Sequence, residues 1–185
     1  MLQLVEEGRL DLDAPARDYL PMIGEQQVLE GFDSDGSPRL RPPKNPITTR
    51  MLLLHTAGFG YEFFNEHYNR LAREQGLPGI ISGSLAALQT PLLFEPGEQW
   101  EYGSNLDWAG LVVEAITGHR LGEVMQQRIF EPLGMNDTFF SVPEDKIERL
   151  MACYARNPAN GVTGLADPAG KTSVYARKPN VFSGG

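Results

Sequence analysis

The chain is poor in the residues that build several common kinds of site. Its 185 residues contain one cysteine, Cys153, three histidines, and 16 basic side chains against 24 acidic ones. A single cysteine excludes an internal disulfide framework and a cysteine-rich zinc site. His55, His67 and His119 are too scattered to form a ligand spacing, so neither a metal nor an organic cofactor is expected. No apolar run reaches the roughly 18–20 residues of a membrane span. A net charge of −8 and a pI near 4.9, with no basic cluster, argue against nucleic acid and anionic lipid as partners. No charged leader with a cleavage site opens the chain, and the cytoplasm is the expected compartment. What is present, 41% apolar residues among frequent glycines and prolines, suits a globular domain with one core of moderate size.

Hydrophobic spacing and punctuation place the elements. Leu2, Leu4 and Val5 begin a short helical stripe that Gly8 stops. Pro15 and Pro21 break the extended stretch after it, and residues 31–46 read as a surface excursion in which Asp35-Gly36 closes a small hairpin. Thr48 or Thr49 caps a helix through Met51-Leu52-Leu53-Leu54 to His55, and four successive apolar residues predict burial on most of its sides. Residues 60–78 read as an aromatic, substrate-facing helix and loop, and Ser82 or Ser84 opens a short helix ending before Pro91. Leu106, Ala109, Val112, Val113 and Ile116 fall at helical spacing before Gly118, and a second helix from Leu121 to Ile129 ends at Pro132-Leu133-Gly134. Beyond residue 140 come a short polar helix to Met151 and possible strands near Cys153–Ala155 and Val174–Ala176.

A search for a nucleophile ends in exclusions. No serine has a lysine three positions later, none sits in Gly-x-Ser-x-Gly, and no phosphate-binding glycine loop occurs. The segment Trp100-Glu101-Tyr102-Gly103-Ser104-Asn105-Leu106-Asp107 is the most informative. Ser104-x-x-Asp107 fits a capping box, with Tyr102 as an aromatic plug before the cap. The same residues fit a site in which Tyr102, Ser104 and Asn105 project from a tight turn into a cleft. A tyrosine hydroxyl held near a cation can then act as a general base. Both readings can hold at once. His55 reads as a helix-end residue beside C-terminal carbonyls, Cys153 as a small buried apolar residue, and Asp11 and Asp13 as a solvated face. The aromatics from Tyr61 to Tyr68 either line an acyl pocket or pack the domain.

Four blocks in order resemble the serine β-lactamase-related hydrolases. Gly8-Arg9-Leu10-Asp11-Leu12-Asp13-Ala14-Pro15 with Asp18-Tyr19-Leu20-Pro21 looks like the segment after that family's nucleophile helix. Ile47 through Phe59 resembles its helix ending in a His-Thr-(Ser/Ala)-Gly turn. Phe94-Glu95-Pro96-Gly97 with Trp100-Glu101-Tyr102-Gly103-Ser104 resembles its second motif. Ile129-Phe130-Glu131-Pro132-Leu133-Gly134-Met135-Asn136-Asp137-Thr138 resembles its next landmark. The spacing is closest to the carboxylesterase branch related to class C β-lactamases.

The resemblance implies an α/β (α+β) fold of the β-lactamase/transpeptidase-like kind, with this chain mainly its helical lobe and few short strands. It implies acyl transfer on a small-molecule ester or amide, with β-lactam or D-Ala-D-Ala peptide hydrolysis as the alternative. By position Tyr102 is the catalytic match, and Ser104 or Asn105 is the substrate contact. The family's Ser-x-x-Lys and its third-motif strand are absent, since Lys171-Thr172-Ser173 follows the Leu-Gly-Met block too soon to be that strand. Residues 1–185 are therefore expected to be a single partial domain, cut within its first helix and at the Gly-rich turn Val181–Gly185, and inactive alone. A non-catalytic or partner-dependent lobe is the other reading. Such a lobe is expected to self-associate through exposed faces at Leu52–Leu54, Val112 and Val113.

Overall fold

The computed structural model describes residues 1–173, which fall into two compact units, Met1–Val124 and the residues from 125 onward. The first unit contains the principal core. Helix α1 (Leu2–Glu6) buries Leu4, and the chain turns away at Gly8 with φ +69°, a left-handed conformation that glycine adopts without Cβ strain. The stretch from Leu12 to Ala16 lies along residues 47–50 through Ala16 N–H to the Ile47 carbonyl (2.8 Å) and Arg50 N–H to the Leu12 carbonyl (2.9 Å). Asp13, read as a bare solvated charge, is exposed but holds Arg50 in a two-pronged pair at 2.7 and 2.8 Å.

The excursion at 31–46 contains an antiparallel hairpin. Strand β1 (Val28–Phe32) pairs with β2 (Pro38–Arg41), with an irregularity between Leu29 and Gly31. Asp35-Gly36 lies in its turn, where Gly36 takes φ +88° and the Asp35 carboxylate accepts from Ser37 N–H at 2.9 Å. The hairpin is short and buries only Val28 and Leu29, so only its turn chemistry was visible in the sequence. Its anchor is a buried carboxylate. Glu95 accepts from the backbone N–H groups of Lys44 and Asn45 and from Arg41 at 2.8 Å, which together hold its carboxyl below the usual range despite burial.

Helix α2 (Thr49–Leu53) starts as expected, with the Thr48 hydroxyl accepting from Met51 N–H. Its burial differs from the expectation: Leu52 is enclosed, Met51 and Leu53 are half-buried, and Leu54 faces solvent, because a helix this short buries one stripe. Helix α3 (Glu66–Gln75) is capped by the Asn65 side chain and closed by Gly76 in the left-handed region. Helix α4 (Asn105–Thr117) forms the centre of the core. Trp108, Ala109, Leu111, Val112 and Val113 are buried, Phe59 stacks on Trp108 at 5.5 Å, and Gly118 ends the helix. Leu52, Val112 and Val113 thus pack inside this unit, and the apolar face expected to drive self-association is reduced to Leu54. Helix α5 (Leu121–Met125) follows.

In the second unit a π-type turn (Gln126–Phe130) leads to Gly134, whose φ is +65°. Asp137 takes both arms of Arg149 at 2.7 Å and Lys146 at 3.0 Å, fixing the turn to the short helix Glu144–Arg149. Strand β3 (Cys153–Arg156) is present as expected and pairs with β4 (Thr163–Asp167), which the sequence did not announce. Cys153 is exposed rather than buried, because the whole of β3 faces solvent. Lys171-Thr172-Ser173 enters a single 3-10 turn (Gly170–Thr172), not a strand. The strand expected at Val174–Ala176 and the turn at Val181–Gly185 lie outside the described residues. Among the described residues no helix is long and apolar enough to cross a membrane, and no cluster of His, Cys, Asp and Glu could hold a metal ion.

Candidate active site

Two segments meet edge to edge around Tyr102. The loop after α2 lies along residues 93–101 through Leu93 N–H to the Gly58 carbonyl (2.8 Å), Gly97 N–H to the Thr56 carbonyl (2.8 Å) and Glu101 N–H to the His55 carbonyl (3.0 Å). The approach is closest at Gly103. A Cβ there would stand 2.4 Å from the Gly60 Cα and the Phe59 carbonyl oxygen, so no other residue fits without displacing backbone. This accounts for glycine directly after the tyrosine.

Tyr102 is 45% exposed, which is not the aromatic plug expected before a cap. Its ring contacts three others: His55 at 4.8 Å, Tyr61 at 5.5 Å and Phe64 at 6.3 Å between centroids. Phe63 and Phe64, 54% and 66% exposed, pack edge to face beside it, and Trp100 stands in solvent on the His55 side. The residues from Tyr61 to Tyr68 therefore divide. Phe63 and Phe64 rim the tyrosine, whereas Tyr68 is buried and donates to the Pro91 carbonyl at 2.6 Å. Burial pushes the phenol pKa of Tyr61 and of Tyr68 well up, and for Tyr61 the nearby Asp107 carboxylate adds to the shift. Both remain protonated phenols, with Tyr61 donating to Asp107 at 3.4 Å, and neither is suited to accept a proton.

The capping box does not form. Ser104 occupies the N-cap position, yet its side chain accepts no cap hydrogen bond and its buried hydroxyl has no partner among the described residues. Asp107 is the acceptor of Tyr61 instead. Nor do Ser104 and Asn105 project into a cleft: they are 2% and 0% exposed. The cavity that Ser104 lines with Tyr61 and Tyr68 has a volume of about 10 Å³, room for one water and too small for an ester group. The reason is geometric. The close approach at Gly103 presses the first turn of α4 onto residues 59–60, leaving Tyr102 above it. Ser104 and Asn105, the residues expected to contact substrate, lie beneath the tyrosine.

His55, read from the sequence as a helix-end residue, lies against Tyr102. It is the one non-glycine residue among those described with a positive φ, +57°, and the Asn105 amide nitrogen lies 3.1 Å from its Nδ1. Burial lowers its imidazole pKa below the ordinary 6.5. Its place between a capped helix and Gly58, in a turn that resembles the family's His-Thr-(Ser/Ala)-Gly, fits a helix end equally well.

A lobe in which a half-exposed tyrosine stands just before a buried helix, on the fold of β-lactamases and transpeptidases, defines the class. The profile of the Beta-lactamase family matches residues 1–178, and the chain belongs to that family. It is similar to the lovastatin esterase of Penicillium rubens, 39% identical over 99% of this chain and 46% of that protein. It is also 39% identical to the monacolin J acid methylbutanoyltransferase of Aspergillus terreus, over 95% of this chain and 42% of that protein. Among solved structures, a mutant simvastatin synthase from Aspergillus terreus superposes with a TM-score of 0.83 at 35% identity, over 95% of this chain and 41% of that one. The chain spans less than half the length of these relatives.

Proposed function

We propose that this chain carries the tyrosine lobe of an enzyme that transfers acyl groups from small-molecule esters by way of a serine acyl-enzyme. The observation that carries the reading is Tyr102. It is the one tyrosine of its aromatic cluster left half-exposed, it lies two residues before the N-cap of α4, and aromatic rings pack against it. In the family mechanism the serine of a Ser-x-x-Lys helix attacks the ester carbonyl. Its proton passes to the lysine–tyrosine pair and on to the departing alkoxide, and water or an alcohol then takes the acyl group. Tyr102 is suited to that proton relay because it has access to substrate while its ring is held on three sides. Phe63, Phe64 and Trp100 supply an apolar rim for an acyl chain or a hydrophobic alcohol. That rim and the esterase and acyltransferase names of the relatives favour esters over β-lactams or D-Ala-D-Ala peptides.

The 185 residues contain no Ser-x-x-Lys, and the covalent step has no nucleophile within them. The chain alone is expected to hydrolyse reporter esters and cephalosporins no faster than buffer, and turnover abolished by Tyr102→Phe would sink that part of the proposal. The role of Tyr102 is tested in a chimera, with this chain replacing the matched segment of a longer relative. There Tyr102→Phe is expected to lower kcat for a reporter ester by about 10²–10⁴ with KM little changed. An unchanged kcat in the folded chimera overturns it.

A further inference from the structure

One orientation of the Asn105 amide pairs it with the Phe59 carbonyl, and in it Oδ1 is buried without a partner among the described residues. Its Nδ2 lies 3.3 Å from the Phe59 carbonyl oxygen, which can only accept, so the nitrogen and not the oxygen must face it. The second proton of the same nitrogen then points at His55 Nδ1, 3.1 Å away. Asn105 is fully enclosed, so its amide nitrogen cannot exchange this bond for one to water. His55 Nδ1 must therefore be the acceptor, and the ring proton of the neutral imidazole resides on Nε2.

The backbone is fixed to the same end. A left-handed conformation strains a residue that carries a β-carbon and persists where the surroundings over-determine it. At His55 they do, because its carbonyl accepts from Glu101 N–H one residue before Tyr102 while its ring lies against the Tyr102 ring. We infer that His55 is a positioning residue: a neutral imidazole, locked as the Nε2–H tautomer by Asn105, that forms the bed on which the Tyr102 ring is held. The inference rests on the reading of Tyr102 as the proton-relay residue only for its purpose, not for its geometry. Protonation of His55 would place a second donor against the Asn105 amide, and the depressed imidazole pKa agrees with its exclusion.

The test is nitrogen-15 NMR of the chain labelled at histidine. His55 is expected to show a bare Nδ1 and a protonated Nε2 at neutral pH. A protonated Nδ1, or averaging between tautomers, overturns the inference without any variant. The second arm is His55→Asn, which suits a left-handed backbone and keeps an acceptor near the Nδ1 position while removing the ring. In that variant the ring-proton shifts of Tyr102 and the rate at which its ring flips are expected to change, with amide signals away from residues 55–60 and 100–105 unchanged. A folded His55→Asn protein in which the Tyr102 ring resonates and flips as before shows a merely structural histidine and overturns the inference. Neither arm uses turnover. A chimera indifferent to Tyr102→Phe would end the catalytic reading and leave the His55 result standing, and the converse holds equally.

Discussion

Beneath the Tyr102 ring, Gly103, Ser104 and Asn105 are enclosed and pressed against residues 58–60, whereas around it Phe63, Phe64 and Trp100 stand largely in solvent. The floor is made of small and polar residues that leave no room for exchange. The rim is made of large rings with little to hold them in place. Substitutions should therefore act on folding in the first region and on ligand selection in the second. The sharpest break of that contrast would be a floor substitution that folding ignores. Gly103→Ala puts a methyl group 2.4 Å from backbone atoms of Phe59 and Gly60 and is expected to cost about 3 kcal/mol. Urea unfolding measures this directly, and a cost below about 1 kcal/mol would mean that the two segments are not in backbone contact.

Asn105→Ala ranks next. It strips the donor from the buried Phe59 carbonyl and from Nδ1 of the half-buried His55, for an expected loss of about 2 kcal/mol. It also opens space beside the ring and so relieves the burial that lowers the imidazole pKa, which should rise toward its ordinary value in this variant. A loss of stability with no rise would assign the amide to Phe59 alone.

The order in which these features could be read from the sequence follows their physics. Helix ends are local, so Thr48 as a cap, Gly118 as a stop and the Asp35-Gly36 turn were visible in short stretches of sequence. Tyr102 was visible because its neighbours form an ordered motif. Ser104 and Asp107 misled because a capping box and a buried tyrosine partner need the same residue types, and only the approach of Tyr61 decides between them. His55, fifty positions from Asn105, could not be linked to it by any spacing rule. Exposure was equally out of reach: Cys153 and Leu54 have buried-residue chemistry but lie on short elements with one covered face or none.

The pH dependence of stability sharpens the comparison further, since it reads a floor residue without mutation. His55 has a lower pKa folded than unfolded, so between those values the unfolded chain binds the extra proton. Stability from this source is fully present above about pH 6.5 and declines as the pH falls below it. The decline should disappear in His55→Asn. Urea midpoints at pH 7.5 and 5.5 for the two proteins give the answer, and an identical slope in both would remove His55 as the cause.

The smallest expected effect lies on the rim. Phe64 contacts Tyr102 and Phe63 through ring edges but is mostly solvated, so Phe64→Ala is expected to change stability by no more than about 0.5 kcal/mol. Its consequence should appear only in substrate choice. In the chimera, KM for esters of longer or branched acyl groups is expected to rise several-fold, about 1 kcal/mol of lost apolar contact, while acetyl esters are unaffected. Equal loss for both ester classes would place Phe64 with the support of Tyr102 rather than with ligand selection, and the division between floor and rim would then have to be drawn outside Phe64.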